Sequence, residues 1–265
     1  SLVLAGVPAA QAQPRAAKVL AIETRIARKK LTAEQTRDFN AAYSTRPYAE
    51  IRSALANLDL DAYFKVLALP TGVDLLVTEI DALKERNAVL GDFPLADIKD
   101  YLQWETLRLM SPYLSPAFMD ARAPLVRALT GTSEAPKRET QVADAVSRGV
   151  GHSLGRLYVE RYFPAQSRAA AEAVVSNVRA EFRQRLEQNT WLSAQTRTYA
   201  LEKFDKIKIV VGYPEKWIDY SSADVRRDDY FGSATRLNEF AVRRALARLG
   251  TPVAPDAFSD PENSL

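Results

Sequence analysis

Few residues in this 265-residue chain could do chemistry, and their scarcity decides a good deal. There is no cysteine and a single histidine, His152. Without a thiol there is no disulfide, no thiolate nucleophile, no iron–sulfur cluster and no cysteine-ligated zinc. A zinc-peptidase site of the H-E-x-x-H kind needs two imidazoles one helical turn apart and a third ligand, so one histidine cannot build it. A Ser-His-Asp triad would have to pass through His152. That residue sits in "GVGHSLG" at 149–155, inside a helix-like stretch, and no G-x-S-x-G elbow occurs anywhere. A lone histidine with no patterned partner reads as an ordinary helix-surface residue. The remaining candidates are cationic: Arg25, Arg28, Lys29 and Lys30, and a second face of Arg179, Arg183 and Arg185. Either could meet phosphate. Yet 36 basic residues stand against 33 acidic ones, a net charge of +3, which describes a mixed, solvated surface with a weak nucleic-acid footprint. Arg25 to Lys30 reads better as the cationic end of a helix, where it complements the dipole.

The elements that must position such residues are mostly helices. Hydrophobic residues at 47% and charged ones at 26% are ordinary globular values. No run approaches the ~18 apolar residues of a membrane span. The first residues, "LVLAGVPAAQAQ" at 2–13, mimic the tail of a signal peptide. They lack a basic n-region and are broken by Gly6 and Pro8, so they read as a loop leading into a helix with Pro14 near its first turn. Val19, Ile22 and Ile26 then give that helix an apolar stripe. Thr32 and Gln35 have the spacing of a capping box. Pro47 opens a short helix to Ala56, and Asp59 caps another to Ala68. Residues 73–80, "VDLLVTEI", form the first plausible strand, followed by a helix from Asp81 to about Leu90.

Long helices follow, predicted over 95–113, 116–129, 137–162, 165–188, 193–204 and 233–249. Val142, Val146, Val150, Leu154 and Leu157 form the expected buried stripe of the 137–162 helix. Gly131 and Gly250 are stop signals. One stretch breaks the helical habit: "KIKIVVGYPEKWIDY" at 206–220. Its β-branched run 207–211 predicts a short buried strand, Gly212 and Pro214 a turn, and Trp217 an anchor packing back on the helices. It holds no nucleophile, metal-ligand cluster or phosphate cradle.

That same stretch carries a resemblance. "WLSAQT" at 191–196, "ALEKF" at 200–204 and "GYPEKW" at 212–217 resemble, in order, segments of the neprilysin and endothelin-converting-enzyme family of zinc metallopeptidases. "GRLYVERYFP" at 155–164, "DYLQW" at 100–104, "LSPAF" at 114–118 and "LTGT" at 129–132 are similar to further segments of that family. So are "LAGV" at 4–7 and "VLAIETRIA" at 19–27. The likeness runs through nearly the whole chain. It departs at 137–141, where "KRETQ" stands for the family's "P-R-W-K-R", at Gly232-Ser233, where the family has "G-N", and after Val253. There "APDAF" puts Phe258 near a family tryptophan.

The resemblance implies a mainly α fold: a helical, substrate-enclosing domain over 1–253, with short β segments near 73–80 and 207–211 and a strand-turn element at 207–220. A loop or frayed tail at 254–265 would lead toward a catalytic half. The family's zinc ligands and catalytic glutamate lie beyond the matching segments, so no catalytic, cofactor-binding or metal residue is assigned in this chain. No cofactor is expected on it; zinc belongs to the catalytic half. The implied partners are that half, on the same or a separate chain, and peptide substrates, with no nucleic acid and no membrane span in this segment. The implied location is periplasmic or extracellular, with no targeting signal in the chain itself. The alternative is a stand-alone peptide-binding or scaffold protein of the same descent, without peptidase activity.

Overall fold

A computed structural model describes residues 1–38, 44–131 and 137–252. The expected tail at 254–265, with Phe258, lies outside them, as does Thr132. The chain divides into two compact units, residues 1–135 and 136–265. Among the described residues there are ten α-helices and one two-stranded sheet, the mainly α architecture expected.

The first unit is organised around α1 (Ala9–Ala27), which buries Val19, Ile22 and Ile26 as its spacing predicts. The helix begins ahead of the expected point, so Pro14 lies inside it. Pro14 and Ala10 are both exposed, so water can satisfy the carbonyl that the proline leaves without a donor. Helices α4 (Ile80–Asp92) and α5 (Leu95–Met110) cover the stripe, and Ile22, Ile26, Val89 and Ile98 close into a core flanked by Leu90, Phe93 and Tyr101. Each such side chain stabilises by ~1.5–3 kcal/mol on burial. Ion pairs ring the core. Lys18 meets Asp97 at 2.5 Å, Arg15 meets Asp100 at 3.2 Å, and Arg25 bridges Glu85 and Asp92. Burial, then a hydrogen bond with Glu23, pushes the Tyr101 hydroxyl up to about 12.

Strand β1 (Ser44–Pro47) pairs antiparallel with β2 (Asp74–Val77), Ser44 opposite Val77. The strand expected at 73–80 is therefore present over Asp74–Val77 only, Ile80 already opening α4, and its partner is a segment for which the sequence predicts no strand. Pro47 hands β1 directly to α2 (Tyr48–Ala54), and Asp59 caps α3 (Leu60–Val66) by accepting from the Ala62 N–H at 2.9 Å. Buried Asn87 clamps the loop before α3: it accepts from the Asn57 N–H at 2.8 Å, and its carbonyl accepts from Asn57 Nδ2 at 2.9 Å. The capping box at 32–35 forms reciprocally, at 2.9 and 3.2 Å, but starts only a single 3₁₀ turn. Helix α6 (Pro116–Thr130) stops at Gly131, whose φ of 69° is left-handed.

The second unit holds α7 (Arg138–Tyr162), α8 (Ala165–Glu187), α9 (Ala194–Asp205) and α10 (Tyr230–Leu246). Ser193 caps α9 through the Thr196 N–H, as expected, and Asp229 caps α10 through the Gly232 N–H at 2.8 Å. Two expectations fail here. The stripe on α7 is not buried: Val142 is 47% and Leu157 64% exposed. Periodicity defines an apolar face, but only a neighbouring element can cover it. The neighbours of α7 make close approaches elsewhere, at Gly149 and Gly155. Residues 207–211 form no ladder, and Ile207 and Val210 are about half exposed. In place of a pairing strand, Arg179 of α8 donates to the carbonyls of Ile207 at 2.8 Å and Phe204 at 3.4 Å.

Candidate functional site

The strongest local constellation in the second unit forms where residues 212–221 fold back on α7. Gly212 has a φ of 80°, and a Cβ there would stand 2.6 Å from Phe163 Cε1, so both conformation and space demand glycine. Phe163 meets Tyr213 edge-on with centroids 6.2 Å apart. Tyr213 stacks on Trp217 at 5.9 Å with the rings 15° from parallel, and Trp217 meets His152 edge-on at 5.9 Å. A Cβ on Gly155 would stand 3.4 Å from Trp217, so the indole lies within van der Waals reach of the helix there. The Arg168 guanidinium covers the other end, 4.5 Å from the Tyr213 centroid. Contact with the Tyr213 hydroxyl, then with Glu172, raises its pKa.

His152 is thus a packed residue, not the ordinary surface histidine expected. Its Nδ1, the atom a triad carboxylate would hold, accepts from the Ile218 N–H at 3.4 Å. Ser153 follows it directly on the helix, and adjacent helical residues point apart. Beside the ring lies a small polar cleft of about 310 Å³, lined by His152, Ser153, Arg156, Asp219 and Ser221 among others. Asp219 accepts from the Ser221 N–H at 2.9 Å, and that bond followed by one from the Ser221 hydroxyl holds its carboxyl below the usual range. This arrangement can grip and position. A larger cleft of about 700 Å³ in the first unit runs along α2 and α3. Its charges satisfy one another: Arg52 meets Asp61 at 2.8 Å, and Asp59 is committed to its cap.

Arg25 of the first cationic cluster and all three arginines of the second are similarly committed. Arg25 is paired as described, Arg183 pairs with Glu187 and Asp205, and Arg185 pairs with Glu181. Arg179 is spent on backbone carbonyls. Among the described residues no group of three or more His, Asp or Glu side chains is placed to hold a metal ion. Sequence reasoning found Trp217 and the Gly212 turn. It missed Arg168, Phe163 and the role of His152, for which only the aromatic spacing around Gly155 could have been a signal.

Comparison with known proteins adds a family. The sequence profile of peptidase family M13 matches residues 1–214. An endothelin-converting enzyme homolog of Locusta migratoria is 24% identical over 89% of this chain and 35% of its own length. The neutral endopeptidase of Lactobacillus helveticus is 24% identical over 99% of the chain and 41% of its own length. The chain thus spans about two-fifths or less of the curated relatives it matches. The open-state structure of Mycobacterium tuberculosis zinc metalloprotease Zmp1 superposes with a TM-score of 0.80 and 28% identity, covering 91% of this chain and 38% of that one. PepO from Lactobacillus rhamnosis superposes at 0.81 with 21% identity over 96% of this chain and 40% of that one, which shows the shared fold.

Proposed function

Because the chain belongs to peptidase family M13, as the match over residues 1–214 shows, we propose that it is the non-catalytic helical portion of a neprilysin-like zinc metalloendopeptidase. In this role it encloses peptide substrates while a zinc site on the catalytic half hydrolyses them. It contributes walls and size selection rather than bond-breaking groups. The helical domain expected over 1–253 would be that enclosing portion, with 254–265 leading toward the catalytic half. Zinc would be bound by that half alone. A periplasmic or extracellular location follows on the same ground. Among the described residues, no helix is long and apolar enough to cross a membrane.

One observation carries this reading beyond family membership. Apolar positions whose spacing marks them for burial stand open in the second unit, among them Leu154 and Leu157 on α7 and Val178 and Phe182 on α8. Exposed apolar faces of this extent mark surfaces that meet something else. The test is complementation: the 265-residue chain is mixed with a separately produced M13 catalytic half, and hydrolysis of an internally quenched peptide is followed. Activity absent from either part and present in the mixture is the expected result. No hydrolysis from the mixture and no association by sedimentation would refute it and favour a stand-alone binding protein.

A further inference from the structure

We infer that α7 is a hinged helix: its first half, residues 138–149, is an arm that swings about Val150 while the second half stays fixed. The backbone breaks there. Val150 has a φ of −135° and a ψ of 39°, outside the helical range, within a helix that otherwise runs from Arg138 to Tyr162. A static bend needs something to hold it, such as a proline or a group wedged into the hydrogen-bond ladder. Residues 138–162 contain no proline. They offer instead Gly149, Val150 and Gly151, three consecutive residues that disfavour a helix, glycine through its backbone freedom and valine through its branched Cβ.

The two glycines are not equivalent. A Cβ on Gly149 would lie 3.1 Å from Leu237 Cδ1, so close packing against α10 accounts for that glycine. Gly151 has no such reason. Its φ is not left-handed, and an added Cβ would meet nothing within 4 Å. Neither conformation nor space demands glycine at 151, and alanine would make the better helix. What glycine alone supplies there is freedom to change φ and ψ, the property of a hinge residue. The flanks differ as a hinge requires. Beyond the break, His152 and Gly155 pack on Trp217, and Phe163 at the helix end is met edge-on by Tyr213. Leu237 seats the pivot at Gly149. Ahead of the break no residue of 138–149 is buried, and Val142 and Val146 stand open. A loosely packed arm on one side of a seated pivot, with a fastened helix on the other, swings as a unit.

The chain has no cysteine, so spin labels go only where cysteines are introduced. The test is the distance between labels at Asp144→Cys on the arm and Leu157→Cys beyond the break, both exposed, in the whole 265-residue chain. Leu157→Cys with Ser176→Cys on α8 is the control, since neither position lies on the arm. An unbroken helix would hold residues 144 and 157 ~20 Å apart in one narrow population. A hinge is expected to spread the 144–157 distances about twofold wider than those of the control. Gly151→Ala, which the open space accepts, should narrow them to the control width, and Val150→Ala should do the same. A fixed kink would give a narrow 144–157 population from the start, and fraying of the arm a broad one that neither substitution narrows. Either result would overturn the hinge.

Discussion

Gly212→Ala is a sharp test of the constellation on α7, because two separable costs meet at one Cβ. The first is conformational. At a φ of 80° a residue with a Cβ is strained by ~1–2 kcal/mol. The second is steric, since the new carbon would lie 2.6 Å from Phe163 Cε1 and 3.2 Å from Cζ. Overpacking of this sort costs ~1–3 kcal/mol. Phe163 is half-buried and pinned edge-on by Tyr213, so its ring can yield only in part. The sum is a loss of ~2–5 kcal/mol. Gly250→Ala is the control. It has the same left-handed backbone, φ 76°, but open space around the added carbon, and should cost only the conformational part. Urea unfolding followed by tryptophan fluorescence reads both variants, since Trp191 and Trp217 both lie in the second unit. Adding Phe163→Leu should recover most of the steric cost of Gly212→Ala and none of the strain. If Gly212→Ala loses no more stability than Gly250→Ala, the ring is not where its packing places it and the stacked wall is wrong.

Trp217→Ala removes a half-buried indole. With ~100 Å² returned to water and the ring pairings to His152 and Tyr213 broken, it should cost ~2–4 kcal/mol in the same unfolding assay. A midpoint within experimental error of the wild type would show a surface residue instead. Tyr101, pushed up to about 12, contributes stability that is whole below pH 10 and is lost as pH climbs from 10 through 12. The full linkage would be ~2.7 kcal/mol, cut to ~1 kcal/mol for a side chain this accessible, and Tyr101→Phe should flatten that alkaline limb in thermal melts. Ser193→Ala should lower the helicity of α9 and cost ~1 kcal/mol by freeing the Thr196 N–H, seen as a lower urea midpoint with unchanged slope. Metal analysis of the dialysed chain should find no stoichiometric zinc and a peptide assay no hydrolysis; one zinc per chain would refute the single-histidine reasoning.

Local signals in the sequence were reliable where one or two residues decide the outcome. Asp59 and Ser193 start helices through their side chains, and Gly131 stops one through its left-handed φ. Ile22, Ile26 and Ile98 were legible because α1 and α5 each carry a single apolar stripe that neighbouring helices cover. Non-local facts were not. Ser44–Pro47 carries no strand signature of its own; it is a strand because Asp74–Val77 lies beside it. The β-branched run at 207–211 fails to be a strand for the converse reason: among the described residues no strand lies beside it, and Arg179 takes up only the Ile207 carbonyl. His152 was misread because a histidine's place depends on what folds over it, and the indole that does so lies far along the chain. Motif order carried the family without needing any of this, because order survives where burial cannot be read.

The core of the first unit also dictates a timetable. Ile22 and Ile26 close on Val89 and Ile98, roughly seventy residues downstream, so no partner exists for α1 when it leaves the ribosome. At ~5–20 residues per second that face stays bare for several seconds of synthesis. During this interval α1, a proline-bearing helix of 19 residues, is marginal on its own, and its apolar stripe faces water.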